Sequence, residues 1–245
     1  TVLLDNAVEI ARRAGCELVV SHIGTRRIKS NQDVGDTRVS QDVFAVADDP
    51  EIDIVLELIG GEDLAKELVL RAIGNGKHVV TANKALIAVH GNEIFAEARK
   101  NNVIVAYEAA VAGGIPIIKA IREGLAANQL EWLAGIINGT GNFILTEMQE
   151  KGSEFSAVLK KAQDLGYAEA DPTFDVEGID AAHKLTILAS IAFGIPLQFD
   201  KAYTEGIGDI TIEDIHYAKE RLGYQKIVLM GWSGGGSLTL LRIIN

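Results

Sequence analysis

Apolar and polar positions along this chain follow two rhythms, and the change between them falls near residue 107. Residues 1–14 place Val2, Leu3, Ala7, Ile10, Ala11 and Ala14 on one side, which predicts a helix ended by Gly15. Residues 17–23 are a short β-rich run and predict a strand. The next stretch, 24–40, is polar and carries Arg26, Arg27, Lys29 and Arg38. Residues 53–59 (DIVLELI) are almost all apolar, as in a parallel strand buried on both faces. Gly60-Gly61 turns that strand into a helix over 62–74. A strand at 77–81, a helix at 85–100 and a strand at 103–107 follow. Such alternation predicts βαβ units, hence an α/β fold with a Rossmann-like, doubly wound parallel sheet over residues 1–107.

From Glu108 the pattern predicts a second, α+β unit over 108–245. EAAVAGGIP leads into a helix with Pro116 in its first turn, running to about residue 127. A strand at 130–137 and helices at 138–150 and 153–165 come next. The stretch 166–184 (GYAEADPTFDVEGIDAAHK) then packs five acidic residues with one lysine. Pro172 biases Ala170 and Asp171 toward an extended path, so 169–175 reads as loop and Asp175 falls at an N-cap. The helix after it carries Asp180 and Lys184 four apart, on one face. A strand at 201–206 and a last helix, capped by Thr211 with Asp214 and ending near Arg221, complete the reading.

Composition narrows the function classes. Of 245 residues, 48% are apolar and 23% charged, as in a soluble globular protein. The net charge of −11 argues against nucleic acid or an anionic membrane as the main partner. A single cysteine, Cys16, allows no internal disulfide and suits a reducing compartment. The longest apolar stretch, 185–197, is too short for a bilayer and is broken by Gly194 and Pro196. No secretory leader is recognisable at the start, so a cytoplasmic location is expected. A dinucleotide fold should open with a strand and G-x-G-x-x-G, and neither is present. Residue 1 reads as the middle of the first crossover helix and no initiator Met precedes it. The expectation is a chain truncated at its start, with the first strand and its glycine loop missing upstream.

Two features resemble chemistry that the chain does not support. The five histidines (His22, His78, His90, His183 and His216) have no metal spacing. Gly231-Trp232-Ser233-Gly234-Gly235 fits a serine-hydrolase elbow, but the ten residues after it contain neither the acid nor the histidine that order requires.

The 162–184 stretch, with Ala162, Gly166-Tyr167, Asp171-Pro172, Asp175, Gly178, Asp180 and Lys184, resembles the signature of homoserine dehydrogenases. Thr81-Ala82-Asn83-Lys84 and Asn138-Gly139-Thr140 are similar to two further stretches of that family, and the resemblance covers residues 1 to about 224. It implies NAD(P)-dependent interconversion of L-homoserine and L-aspartate 4-semialdehyde, in threonine, methionine and isoleucine biosynthesis. Lys184 is the expected general acid, because hydride addition to an aldehyde leaves alkoxide charge that a nearby ammonium can stabilise or protonate. Asp180 would hold that lysine, and Lys84 would border the cofactor and the reacting carbon. Glu169 and Asp175 would bind the substrate ammonium, with Thr140 beside it.

Gly60, Lys84, Arg26 and Arg27 are the expected cofactor contacts. The two arginines follow the second strand with no acid before Asp33, which suits a 2′-phosphate and hence NADP, with NAD as the alternative. Glu108, Val111, Gly113 and Ile115 are similar to the family's loop for a monovalent cation, sodium, three of them acting through backbone carbonyls. A homodimer is expected through the substrate unit. The other reading is a non-catalytic homoserine-binding module that has lost the cofactor loop. Beyond Tyr224 the sequence departs from the family pattern.

Overall fold

The computed structural model describes residues 2–27, 34–35 and 37–220. Lys29, Asp33, the end of the last helix at Arg221 and the serine-elbow motif at 231–235 lie outside the described residues. The predicted N-terminal helix is two pieces, α1 (Val2–Asp5) and α2 (Ala7–Ala14). Asn6 parts them. Its backbone leaves the helical range (φ −115°, ψ 16°), while its side-chain amide and its own N–H share Val2 O at 2.9 and 3.1 Å. Gly15 ends α2 as expected, in the left-handed region with its N–H on Ala11 O.

Every strand among the described residues pairs in parallel. β1 (His22–Gly24) lies beside β2 (Arg38–Ser40). β3 (Ile54–Glu57), β4 (His78–Thr81) and β5 (Val105–Ala106) form a second sheet in chain order. The crossovers are α4 (Asp63–Gly74) and α5 (Lys84–Lys100), with α3 (Phe44–Asp48) packed against α4. The fold is therefore the α/β, Rossmann-like arrangement expected of the first half. The strand predicted at 17–23 shrinks to its last residues, because β2 offers a ladder only three residues long. Burial of β3 on both faces was also too strong an expectation. Val55 and Glu57 are buried whereas Ile54 and Leu56 are exposed, so the described helices cover one face.

Two apolar cores result. In the first, Val55, Val79 and Val105 of the sheet meet Leu68, Val69 and Ile73 of α4 and Leu86, Ile87 and Ile94 of α5. Ile118 and Ile121 join it from a later helix, as do Ile187 and Leu188 from α10 (Ile179–Phe193). The second core gathers Ile144 and Met148 of α7 (Gly139–Lys151), Val158 and Ala162 of α8 (Phe155–Asp164), Val176, Ile207 and Ile215. Each fully buried aliphatic side chain contributes about 1.5–3 kcal/mol. α10 matters most for the site, because it packs on α5 of the first core and carries Asp180 and Lys184.

Later elements bring three corrections. Residues 130–137 and 201–206 form no strand, since among the described residues no neighbouring strand offers them hydrogen bonds; Phe199–Lys201 is a 3-10 turn instead. The helix after Pro116 is shorter than predicted. It is α6 (Ile117–Lys119), running on as a π turn over Ala120–Gly124. Asp175 is not an N-cap. It lies inside a short helix, α9 (Thr173–Val176), entered through Pro172 from a turn in which Thr173 N and Oγ1 donate to Asp171 Oδ1. The chain then reverses at Gly178 (φ 77°) to enter α10. By contrast the cap of α11 (Ile212–Glu220) is as predicted, with Thr211 and Asp214 bonded reciprocally.

Gly178 therefore sets where α10 begins. A Cβ there would lie 3.3 Å from Glu205 O, on a backbone that L-residues rarely adopt. Gly178→Ala is expected to cost about 1–2 kcal/mol and to lower the thermal midpoint by a few degrees. An unchanged midpoint in calorimetry would contradict this account of the turn.

Candidate functional site

Three separate parts of the chain converge on one carboxylate. Asp180 sits in the first turn of α10 and is 4% exposed. Its Oδ2 accepts from Lys184 Nζ at 2.6 Å, one turn along the helix, and from Asn138 Nδ2 at 2.9 Å. Its Oδ1 lies 3.1 Å from Lys84 Nζ, at the start of α5 and thus at the carboxyl edge of the three-stranded sheet. Burial pushes the Asp180 pKa up, but the bonds from Lys184, Asn138 and Lys84 outweigh it, and the net shift is downward. Two ammonium groups thus share one buried acid.

Local structure aims each group. Asn83 caps α5, its side chain accepting from Leu86 N at 3.1 Å, and this fixes where Lys84 leaves the backbone. Asn138 caps α7 in the same way, accepting from Gly141 N at 2.7 Å. With its oxygen so engaged, the amide nitrogen is turned outward and bridges Asp180 to Asp175 Oδ1, the latter at 2.7 Å. Thr140 Oγ1 lies 3.1 Å from Asp175 Oδ2 and 2.8 Å from Tyr167 O, so its one proton serves either. Lys184 also donates to Ile137 O at 2.7 Å. Lysines, acids and amide make one connected network.

Other expected residues lie apart from it. Glu169 is exposed, and its carboxylate makes no hydrogen bond or ion pair among the described residues. Arg26 and Arg27 are exposed just past β1, with Thr25 bonded to the backbone of Arg27. Gly60 (φ 72°) follows β3, its N–H on Glu57. Glu108 spends both oxygens on the start of α6, accepting from Ile118 N and Lys119 N at 2.9 Å each. Val111 is buried, whereas Gly113 and Ile115 are exposed in a loop where Ala112 and Gly114 both take positive φ.

Comparison with known proteins decides the family. The family model "Homoserine dehydrogenase, NAD binding domain" matches residues 2–108, and "Homoserine dehydrogenase" matches 116–237. A homoserine dehydrogenase of Pseudomonas aeruginosa is 72% identical over 224 residues, which is 91% of this chain and 51% of that protein. The chain belongs to the homoserine dehydrogenase family. The crystal structure of a homoserine dehydrogenase from Thiobacillus denitrificans superposes with a TM-score of 0.89 at 64% identity, covering 94% of this chain and 53% of the other. A hyperthermophilic archaeal homoserine dehydrogenase, solved in complex with NADPH, gives a TM-score of 0.70 at 26% identity, covering 98% and 67%. The chain spans about half the length of the curated relatives it matches.

Three residues near the two lysines escaped the sequence reading of this homoserine dehydrogenase family member. Asn138 enters the sequence expectation only as the start of a helix and of the Asn138-Gly139-Thr140 stretch, although its amide is the bridge between Asp175 and Asp180. The ring of Phe174 lies 5.4 Å from Lys84 Nζ, a cation–π arrangement. His183 shows only the absence of metal spacing in the sequence. It is 3% exposed, its ring is 5.3 Å from Phe174 and 4.3 Å from Phe199, and its Nδ1 has no partner among the described residues. Burial pushes its pKa down; Glu62 and Asp180 oppose that and Lys84 adds to it. No sequence spacing signals these contacts, because each joins segments distant along the chain.

Proposed function

We propose that the protein carrying this chain is a homoserine dehydrogenase in action as well as in family, reducing L-aspartate 4-semialdehyde to L-homoserine and catalysing the reverse. The observation that supports this best is the meeting of Lys84 and Lys184 on Asp180 (3.1 and 2.6 Å) with Asp175 tied in by Asn138. A nicotinamide cofactor, when bound, supplies the hydride. Lys184 gives the proton to the oxygen of the reduced aldehyde, and the positive charge of Lys84 stabilises that oxygen as it becomes negative. Asp180 keeps both ammoniums aimed. Asp175, supported by Thr140, and the free carboxylate of Glu169 take the substrate ammonium. A binding module without catalysis would have no use for two lysines on one acid.

On this reading residues 1–107 hold the cofactor and 108–245 the substrate and the dimer partner. The matches ending at 108 and beginning at 116 support that division. The protein would be a cytoplasmic homodimer in threonine, methionine and isoleucine biosynthesis; among the described residues no helix is long and apolar enough to cross a membrane. The loop at 108–115 offers a carboxylate and peptide carbonyls, the hard donors a sodium ion takes. Its strained Ala112 (φ 51°) is the sort of outlier that gathers at functional sites. Glu108 with the carbonyls of Val111, Gly113 and Ile115 would hold the ion, which would brace the loop.

Gly60 and Lys84 would contact the cofactor, and Arg26 and Arg27, exposed beyond β1 and without side-chain partners among the described residues, would meet a 2′-phosphate. NADPH in the archaeal relative supports NADP. One charge-assisted contact contributes about 1.5–3 kcal/mol, so NADP should bind about ten- to a hundredfold tighter than NAD. Titration calorimetry on the full-length protein tests this together with the function. Homoserine and NADPH should both bind, and the Arg26→Asp, Arg27→Asp double variant should lose the NADP preference. Homoserine binding without any NADPH binding would overturn the catalytic reading.

A further inference from the structure

Glu57 has no part in the mechanism above, yet it is among the most deeply buried residues described, at 0% exposure. It ends β3, and among the described residues no cation pairs with it. A carboxylate placed there without a counter-charge costs stability, and an apolar side chain would fill the space more favourably. What it does have is donors. Oε1 accepts from Ile59 N at 2.9 Å and Gly60 N at 3.1 Å, and Oε2 accepts from Thr81 Oγ1 at 2.5 Å.

Those donors belong to two loops at the same edge of the sheet. Ile59 and Gly60 open the turn after β3, in which Gly60 and Gly61 both have positive φ (72° and 73°). Thr81 ends β4, directly opposite Glu57 in the ladder. The chain of bonds continues. Asn83 N donates to Thr81 Oγ1 at 3.0 Å, and Asn83 Nδ2 reaches back to Gly61 O at 2.6 Å. The next residue is Lys84, whose ammonium meets Asp180 at 3.1 Å. The carboxyl edge is where a parallel α/β sheet takes its ligand. A displacement of either loop therefore moves both the backbone that faces the cofactor and the root of Lys84.

We propose that Glu57 is a positioning residue that locks the 59–61 turn to the 81–84 segment, so that the cofactor-facing backbone and Lys84 are held as one body. It touches neither substrate nor cofactor and acts through Gly60, Thr81 and Asn83. Identifying that turn as cofactor-facing rests on the function proposed above. The clamp itself rests on the hydrogen bonds alone.

The test uses E57A, E57Q and T81V in the full-length protein, with amide exchange, NADPH affinity and steady-state constants as readouts. In E57A the amides of Ile59, Gly60 and Asn83 should exchange faster. The NADPH Kd should rise about tenfold or more and kcat should fall by a similar factor, with KM for homoserine within about twofold. E57Q keeps an acceptor for Ile59 and Gly60 and should recover most of the cofactor affinity. T81V frees only the 81–84 side, so it should lower kcat more than it weakens NADPH binding. Unchanged amide exchange and an NADPH Kd within twofold of the parent in E57A would overturn the proposal. So would E57A and E57Q losing thermal stability equally with no change in Kd. Should E57A not fold, parent-like exchange, Kd and kcat in both E57Q and T81V would overturn it equally. A parent protein that binds NADPH but turns nothing over contradicts the proposed function alone, because exchange and Kd still decide the clamp.

Discussion

Lys184→Ala is expected to lower kcat about a thousandfold while leaving the NADPH Kd within a few-fold of the parent. General acid catalysis contributes about 10²–10⁴ in rate, and a donor aimed at developing oxyanion charge about 10²–10³. Both belong to the transition state, so the loss falls on turnover and not on ground-state binding. The geometry allows no understudy. Lys84 reaches Asp180 from the opposite oxygen, and Lys184 alone is also held by Ile137 O. Removing it leaves Asp180 with Lys84 and Asn138 as donors, so the fold should survive with a loss of about 1–3 kcal/mol. A pre-steady-state trace with NADPH separates the two effects, showing normal binding amplitude and a slowed hydride step.

Asp180→Asn should have the second-largest effect, and on two observables. Kinetically it leaves two ammoniums facing each other across a neutral amide, so kcat should drop about a hundredfold as both lysines lose their aim. Thermodynamically it removes the acid from a buried cluster, a change of about 3–5 kcal/mol where the partners are fully buried. Here the Lys84 and Lys184 side chains keep 32% and 19% of their exposure, so the lower end of that range applies. The effect carries a pH signature. The folded-state pKa of Asp180 lies below the ordinary 3.8, so its stabilising contribution is full above that value and is lost as pH falls through the folded pKa. Parent and variant should therefore differ in unfolding free energy by a constant amount above about pH 5. The difference should shrink below about pH 4. A gap that stayed constant into strong acid would mean that Asp180 contributes by packing and not by charge.

The sequence made the first half of the fold readable because each element there is signalled locally. The run at 53–59, the glycine pair after it and the helix that follows need no distant partner to be recognised, whereas β2 and the short α3 before that run gave no such signal. The strands at 130–137 and 201–206 failed for the opposite reason, since a strand exists only where a neighbour accepts its hydrogen bonds. Asp175 failed more instructively. The acid belongs to the signature stretch, but a helical turn after Pro172 and the left-handed Gly178 took over the entry to α10. That freed its carboxylate for Asn138 and Thr140. In the site, the Asp180–Lys184 pair was legible at helical spacing. Lys84 is pointed to by the resemblance alone, and its approach to Asp180 from another element has no local signal, nor has the part played by Asn138 and Phe174. Those depend on how α5, α7 and α10 pack, which no local pattern encodes.

On the function proposed above, Lys184, Lys84 and Asp180 form a centre for aldehyde reduction in the full-length protein. The most direct test is NADPH oxidation on addition of L-aspartate 4-semialdehyde, followed by absorbance and run beside the Lys184→Ala variant. The account predicts saturable oxidation with L-homoserine as product, and a rate in the variant about a thousandfold lower. Equal rates in the two proteins, or none in either despite tight NADPH binding, would contradict it.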